Sequence, residues 1–161
     1  MNTIEYANLD HLDRLTEIAF SGKRHWGYPE EYYEIWETEL TITEDYLKNN
    51  VVKIILENDI IKGFYSICYN EDEKHVGETF IEKGYWLDFM FLDEKFIGNG
   101  LGKIMFNDSI NEIKNNGGTN FYIFSDPNAQ GFYKKMGCKF IRESKSSIKN
   151  RTIPIYKYEI K

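Results

Sequence analysis

The chain contains 161 residues, of which 42% are hydrophobic and 16% are aromatic, so it can bury one substantial apolar core. Its formal net charge is −6 and no dense run of Lys or Arg occurs, which argues against a nucleic-acid-binding surface. We therefore expect a single domain, residues 1–161, without a nucleic-acid partner.

The cysteines and histidines are too scattered to form a recognisable metal motif. Cys68 and Cys138 are isolated, and His11, His25 and His75 have no HxxH or CxxC partner, so we expect no metal. Two isolated thiols are typical of an intracellular chain. The first residues lack the continuous apolar stretch of a signal peptide or a membrane span, so we expect a cytoplasmic protein without membrane association.

The first quarter of the chain predicts a strand followed by two helices. The segment TIEYA alternates like a strand, and Asn8 or Asp10 can cap the helix that follows. Gly22 and Gly27 are predicted to end that helix in the loop SGKRHWGY. Pro29 then suits the first position of a second helix, PEEYYEIWETEL.

The middle of the chain predicts a hairpin and then the centre of a sheet. The β-branched runs VVKIILEN and IIKGFYSICYN are joined by Asn58 and Asp59, as in an antiparallel hairpin. A looser polar stretch, EDEKHVGETFIEKG, follows. The run YWLDFMFL is the most apolar in the chain, and its length predicts a strand buried on both faces at the middle of the sheet.

The last third predicts two more helices and three more strands. In GLGKIMFNDSINEIKNNGG the apolar residues share one side of a helix that stops at Gly117 and Gly118: Leu101, Met105, Phe106, Ile110 and Ile113. TNFYIFSD is a strand, and DPNAQGFYKKMG is a short helix ending at Gly137. CKFIRES and RTIPIYKYEI complete the sheet, with Pro154 indicating an edge or a bend. The order β α α β β β α β α β β predicts a mixed α/β domain.

Glycines alternate with other residues in the turn between the central strand and the long helix. Gly98, Gly100 and Gly102 allow backbone to approach a phosphate, and the amides of a helix start favour anions. A nucleotide P-loop is excluded because the glycine spacing is one residue short and Ile104 follows the lysine. The dinucleotide fingerprint is excluded because Lys103 stands where its third glycine belongs. Without further context the turn fits plain helix packing as well as a ligand loop.

Two motifs in the correct order supply that context, and with them the chain resembles the GNAT superfamily of N-acetyltransferases. The signature Gln/Arg-x-x-Gly-x-Gly/Ala is matched by Gly100 and Gly102, although Ile97 occupies the Gln/Arg position. The segment from Asn128 through Tyr133 to Gly137 is similar to the family's second motif. The resemblance implies a mixed sheet of six to seven strands flanked by about four helices.

The resemblance also implies acetyl coenzyme A as cosubstrate and assigns residues to its binding. The pyrophosphate would be held by the backbone of the turn: Gly98, Asn99, Gly100, Leu101, Gly102 and Lys103. The pantetheine arm would pair with the end of the central strand, at Met90, Phe91 and Leu92, and would accept a hydrogen bond from Asn128. Because Ile97 lacks a polar side chain, binding of the pyrophosphate would rest on backbone amides.

Two side chains are candidates for proton transfer. Tyr133 resembles the general acid that protonates the departing thiolate, although a tyrosine in this position also suits core packing. Asp88 interrupts the apolar strand and is the best-placed carboxylate to take the proton of the amine; a structural ion pair is the alternative. Strand alternation puts Asp88, Met90 and Leu92 on the same side.

In proteins of this kind the acceptor pocket is framed by the first helices and their connection, which here carries Trp26 and Tyr28 beside Lys23, Arg24 and His25. These aromatic residues either line a pocket or pin the loop to the core. We expect transfer of an acetyl group to a primary amine of a small molecule or a protein. Alternatives are a non-catalytic coenzyme A or acyl-CoA binding or sensing module and a ligand-free interaction protein. Exposed strand edges make a homodimer reasonable.

Overall fold

The computed structural model describes all residues, 1–161. Its helices are α1 (Leu12–Arg24), α2 (Glu30–Leu40), α3 (Glu44–Asn49), α4 (Leu101–Asn115) and α5 (Gln130–Lys135). Its strands are β1 (Thr3–Tyr6), β2 (Val51–Glu57), β3 (Ile60–Asn70), β4 (Lys74–Val76), β5 (Thr79–Ile81), β6 (Gly84–Leu92), β7 (Asn120–Phe124), β8 (Lys139–Lys145) and β9 (Thr152–Glu159). Short 3-10 turns lie at Leu9–His11, Glu94–Phe96 and Pro127–Ala129.

Seven strands form one mixed sheet in the order β1-β2-β3-β6-β7-β9-β8, and β4 pairs only with β5. The β6–β7 pair is parallel, whereas β1–β2, β2–β3, β7–β9 and β8–β9 are antiparallel. The predicted mixed α/β class is confirmed, and the most apolar run does form the central strand. None of the helices combines the length and the apolar character that a membrane crossing requires.

Local sequence signals at two turns are confirmed. Asn58 and Asp59 have φ of 52° and 64°, the left-handed pair that a tight two-residue hairpin turn requires. At the end of α4, the N–H of Gly117 donates to Lys114 and the N–H of Gly118 donates to Ile113, while Gly117 has φ of 87°. These are the paired hydrogen bonds of a glycine-terminated helix.

The predicted end of the first helix at Gly22 is wrong. Helix α1 continues through Gly22 to Arg24, so Lys23 and Arg24 are helical residues and only residues 25–29 form the connection to α2. The glycine is there for packing, because a Cβ at Gly22 would lie 3.0 Å from the Phe91 ring and 3.3 Å from the Leu92 carbonyl oxygen. Gly22 therefore lets α1 approach the end of β6.

Three further expectations need correction. Helix α3 and the small β4–β5 hairpin were absent from the predicted element order, because both are too short to carry a clear periodicity. The edge alternative for Pro154 is also wrong, since β9 lies between β7 and β8. Pro154 lies one residue beyond the β7–β9 pairing, which ends at Phe124 with Ile155, so the missing N–H removes no bond of that ladder.

The two-sided burial predicted for β6 holds at Trp86 and Leu87, while residues 88–92 are half-buried.

The chain divides into two compact units. The first unit comprises Met1–Ile67 and Phe89–Asp108, and the second comprises Cys68–Asp88 and Ser109–Lys161. The core of the first unit is aliphatic and aromatic, with fully buried side chains from α1, β2, β3 and α4: Leu15, Ile18, Ile54, Ile55, Phe64 and Phe106. The second unit buries a mainly aromatic and β-branched set: Trp86, Phe121, Ile123, Ile155 and Tyr156.

Gly63 on β3 marks the tightest approach to the end of β6. A Cβ at this position would lie 2.6 Å from the carbonyl oxygen of Phe91 and 2.7 Å from the Leu92 side chain. We expect Gly63→Ala to lower the free energy of unfolding by about 2 kcal/mol or more, because a strand backbone must shift to accept the methyl group.

Chemical denaturation of the parent and the variant measures this loss. Gly131→Ala is the matched control, since its Cβ meets no atom within 4 Å and a helical alanine is favourable. Equal destabilisation by the two substitutions would show that the close approach of Gly63 does not limit stability.

Candidate functional site

The glycine turn is an open backbone segment in the first unit. Gly98 and Gly100 have φ of 92° and 79°, and a Cβ at either position would meet no atom within 4 Å. Asn99 is exposed, and its side-chain amide donates to the Phe96 carbonyl over 3.3 Å. The space around both glycines is therefore open to a ligand.

Helix α4 presents its first amides next to these glycines. Its first hydrogen bond is donated by Ile104 to the Gly100 carbonyl, so the N–H groups of Leu101, Gly102 and Lys103 have no acceptor on their own helix. Leu101 is buried and anchors the turn, whereas Lys103 is exposed. This end of α4 can hold an anion through backbone amides and the helix dipole.

A buried carboxylate fixes the start of the glycine turn. Asp93 follows β6 directly and is 4% exposed. Its Oδ2 accepts a hydrogen bond from Arg14 on α1 over 2.8 Å, and its Oδ1 accepts from the Lys95 amide over 3.1 Å. The Ser21 hydroxyl donates to Oδ1 over 3.3 Å and accepts from the Glu94 amide over 2.9 Å. Helix α1 and the turn are thus joined through one carboxyl group.

The ionisation of Asp93 follows from these contacts. Burial acts to raise its pKa, but the hydrogen bonds from Arg14 and from the Lys95 amide, with the charges of Arg14 and Lys95, outweigh burial and hold the pKa below its ordinary value. The carboxylate therefore stays charged at neutral pH. Arg14 also donates a hydrogen bond to the Ile61 carbonyl oxygen over 2.8 Å.

The end of β6 extends beyond its pairing with β7. The parallel register covers Tyr85 to Leu87, opposite Phe121 to Ile123, whereas β6 continues to Leu92. Met90, Phe91 and Leu92 are half-buried. A strand that outlasts its parallel partner offers backbone groups to an extended ligand.

The connection between α1 and α2 has one exposed and one packed aromatic residue. Trp26 is 42% exposed and its ring meets the His25 ring edge-on at 4.7 Å. Tyr28 is half-buried and lies 5.1 Å from the Trp36 ring and 5.8 Å from the Tyr32 ring. Tyr28 is therefore part of an aromatic cluster, while Trp26 faces solvent.

In the second unit, Tyr133 is a buried residue of α5. It is 5% exposed, and its ring lies 5.2 Å from Phe132 and 6.3 Å from Tyr156. Burial first, and then the nearby Cys138 and Asp126, raise the pKa of Tyr133. The phenol therefore keeps its proton throughout the neutral and mildly alkaline range.

The turn before α5 is held by Asp126. Its Oδ1 accepts from the Asn128 amide over 2.9 Å, and its carboxylate lies 3.7 Å from the Arg151 guanidinium, with both side chains 12% exposed. Asn128 itself is exposed. The second unit thus brings Asn128 and Tyr133 onto one short segment that this ion pair fixes.

Asp88 lies beside a cysteine on the neighbouring strand. Asp88 is half-buried on β6. Burial first, and then the charge of Asp88, raise the pKa of the Cys68 thiol to about 12, against smaller opposing effects of Lys74 and a backbone hydrogen bond. Burial likewise raises the pKa of Cys138 to about 12. Both thiols are therefore protonated at neutral pH.

The sequence-predicted residues fall into two groups. The first unit holds the glycine turn, Met90 to Leu92, Trp26 and Tyr28, and the second holds Asp88, Asn128 and Tyr133. Nowhere do three or more His, Cys, Asp or Glu side chains converge in a way that could hold a metal ion.

Sequence reasoning missed two arrangements. Arg14 and Asp93 are 79 residues apart, and no periodicity links them. The ammonium of Lys23 lies 4.7 Å from the centre of the Trp36 ring. The sequence does not indicate this contact, because it predicts a loop at Lys23. The only available signal was the density of aromatic residues between 26 and 36.

Comparison with known proteins gives a family match and a fold match. Residues 36–161 match the family model described as an acetyltransferase (GNAT) domain. No curated protein has a matching sequence.

Three solved structures illustrate the shared fold. A GCN5-related N-acetyltransferase from Rhodopseudomonas palustris is 14% identical, with TM-score 0.76 and coverage of 99% of this chain and 96% of that one. The PaiA N-acetyltransferase from Thermoplasma acidophilum, solved in complex with coenzyme A, is 17% identical, with TM-score 0.72 and 99% coverage of both chains. The ribosomal-protein-S18-alanine N-acetyltransferase from Escherichia coli is 16% identical, with TM-score 0.67 and coverage of 99% and 94%.

The Asp93 contacts predict an acid-sensitive stability. A carboxyl group whose folded pKa is below its unfolded value stabilises the fold above the unfolded value, near pH 4, and this stabilisation is lost as the pH falls through the folded pKa. We expect Asp93→Asn to cost about 2 kcal/mol at pH 7, with the difference from the parent shrinking as the pH falls below about 4.

Urea unfolding at a series of pH values measures the effect. Glu78→Gln is the control, because Glu78 pairs with Lys145 at an exposed position and should change stability little. A difference between parent and Asp93→Asn that stays constant with pH would contradict the assigned role of the carboxylate charge.

Proposed function

The chain belongs to the GNAT acetyltransferase family, and on this basis we propose that it transfers the acetyl group of acetyl coenzyme A to a primary amine of a small molecule or a protein. The family makes it an acyl-CoA-dependent acetyltransferase. The observation that carries the proposal is the open glycine turn at the start of α4, next to the end of the central strand. A coenzyme A complex is known for the structural neighbour from Thermoplasma acidophilum.

The residues of the glycine turn fit a pyrophosphate. Left-handed Gly98 and Gly100 leave open space where side chains would stand, and the amides of Leu101, Gly102 and Lys103 begin the helix. Ile97 is half-buried and apolar, so the phosphates would be held by backbone groups together with the exposed Lys103. In the first unit, the pantetheine arm would lie along the backbone of Met90, Phe91 and Leu92.

Backbone amides at the end of β6 would stabilise negative charge on the acyl oxygen while the amine adds to the carbonyl carbon. When bound, acetyl coenzyme A supplies an acetyl group activated as a thioester. Asp88, directly or through a water, would accept the proton of the amine. The raised pKa of Tyr133 keeps its phenol protonated. The phenol would therefore have a proton to donate when the coenzyme thiolate leaves.

The two cysteines favour direct transfer over an acyl-cysteine route. A cysteine nucleophile must reach the thiolate form, and the pKa values of Cys68 and Cys138 are both raised to about 12. The amine would therefore attack the thioester itself, without an acyl-cysteine intermediate.

Amine-dependent release of free coenzyme thiol from acetyl coenzyme A tests the proposal, with Tyr133→Phe as the diagnostic variant. Removal of the phenol proton should lower turnover by about a hundredfold while coenzyme binding persists. Tyr65→Phe is the control, since Tyr65 is another buried tyrosine, whose hydroxyl donates to Asp108. Coenzyme binding without thiol release across a broad amine panel would instead support a sensing module.

A substitution in the glycine turn tests coenzyme binding separately. Gly100→Val places a branched side chain in the open space at the start of α4, so the affinity for coenzyme A should fall by about tenfold or more. Gly117→Val is the matched control, because Gly117 has a similar φ of 87° and equal open space at the opposite end of α4. Calorimetry that gives the same affinity for both variants would remove the glycine turn from the site.

A further inference from the structure

Three aromatic rings surround the ammonium of Lys23 in the first unit. The Nζ atom lies 4.7 Å from the centre of the Trp36 ring, 5.7 Å from that of Tyr28 and 5.9 Å from that of Phe91. We call these three aromatic residues the ammonium box. Several ring faces around one cation are typical of sites that recognise alkylammonium groups.

The box is built by contacts that do not depend on Lys23. Trp36 is 3% exposed, and the rings of Tyr28 and Tyr33 meet it edge-on at 5.1 Å and 5.6 Å. Phe91 packs against Phe64 at 5.9 Å and Phe89 at 5.8 Å. The rings are therefore held in place by other side chains, and the box can keep its shape when the lysine leaves.

The position of the box links it to the reaction. Phe91 belongs to the strand end proposed to hold the thioester, and Lys23 and Tyr28 belong to the end of α1 and the connection after it. A molecule with an ammonium in the box would therefore extend a second group toward the backbone of β6. This step rests on the proposed function.

The charge around the box favours a cation. Helix α2, which supplies Trp36, contains five acidic residues and no basic one: Glu30, Glu31, Glu34, Glu37 and Glu39. The whole chain has a formal net charge of −6. This field attracts a polycation and disfavours an anionic acceptor.

We propose that the acceptor is a small α,ω-diamine whose second ammonium displaces Lys23 from the ammonium box. Its reacting amine, once neutral, attacks the thioester carbon; the C–S bond breaks, the C–N bond forms, and the thiolate takes up a proton. The proton that the amine loses passes to solvent water. The second ammonium does not react, so the product is a singly charged N-acetyl diamine.

Lys23 itself is a poor acceptor in this arrangement. The ring faces stabilise the charged form of an amine, whereas attack on a thioester requires the neutral form. Lys23 is therefore an occupant that resembles the acceptor, with a primary ammonium on a four-carbon chain.

A pair of amines of equal length tests the inference in the intact protein. Thiol release is measured with 1,5-diaminopentane and with 5-amino-1-pentanol, which has the same reacting group and a neutral tail. The value of kcat/KM should be about tenfold higher for the diamine. Equal values, or turnover confined to other amines, would overturn the diamine assignment and leave acetyl transfer standing. Absence of turnover with every amine would refute the proposed function itself.

Two substitutions at Tyr28 separate the ring face from the hydroxyl. Tyr28→Phe keeps the face and should keep the preference for the diamine over the amino alcohol. Tyr28→Leu removes the face and should reduce that preference by about threefold or more. A preference that survives in Tyr28→Leu would exclude the box from acceptor binding.

Binding measured without turnover tests the displacement of Lys23. Calorimetry with 1,5-diaminopentane, in the presence of coenzyme A, should give a lower Kd for Lys23→Ala than for the parent, because the competing ammonium is gone. An unchanged or higher Kd would show that Lys23 contributes only to the packing of α1 against α2. Mass spectrometry after incubation with acetyl coenzyme A should find Lys23 unmodified, and its acetylation would overturn the proposal.

Discussion

The ion pair between Asp93 and Arg14 is the interaction on which the arrangement of the first unit depends. One carboxylate binds α1 through Arg14 and Ser21 and the following turn through the Lys95 amide. It stands directly between the end of β6 and the glycine turn. Since a buried carboxylate is costly unless its oxygens are paired, these partners must stay together, and the position of the turn is set with them.

Two glycines, Gly22 and Gly63, also help to fix the end of β6. Gly22 and Gly63 remove side chains where α1 and β3 approach Phe91 and Leu92, so the strand end is held between backbone surfaces with little freedom. In contrast, Gly98 and Gly100 lie in open space with left-handed backbone. The first pair of glycines serves packing and the second leaves room for a ligand, a difference that the residue type alone does not reveal.

Local signals in the sequence were sufficient for most elements. The hairpin turn at Asn58, the helix stop at Gly117 and the central position of YWLDFMFL all follow from backbone preference or apolar length. The predictions that proved wrong also have physical causes. Glycine at position 22 predicts a helix break, but contacts with β6 outweigh the low helix propensity of glycine. The short α3 and the β4–β5 hairpin carry too few residues to show a period.

By itself, the sequence determined the mixed α/β class, the glycine turn before a long helix and the resemblance of two motifs to one acetyltransferase family, because each depends on residues near one another in the chain. Only the tertiary structure decided which distant side chains meet. Arg14 reaches Asp93, and the ammonium of Lys23 lies among Tyr28, Trp36 and Phe91. Such pairings depend on how helices pack on strands, and no local propensity or periodicity records them.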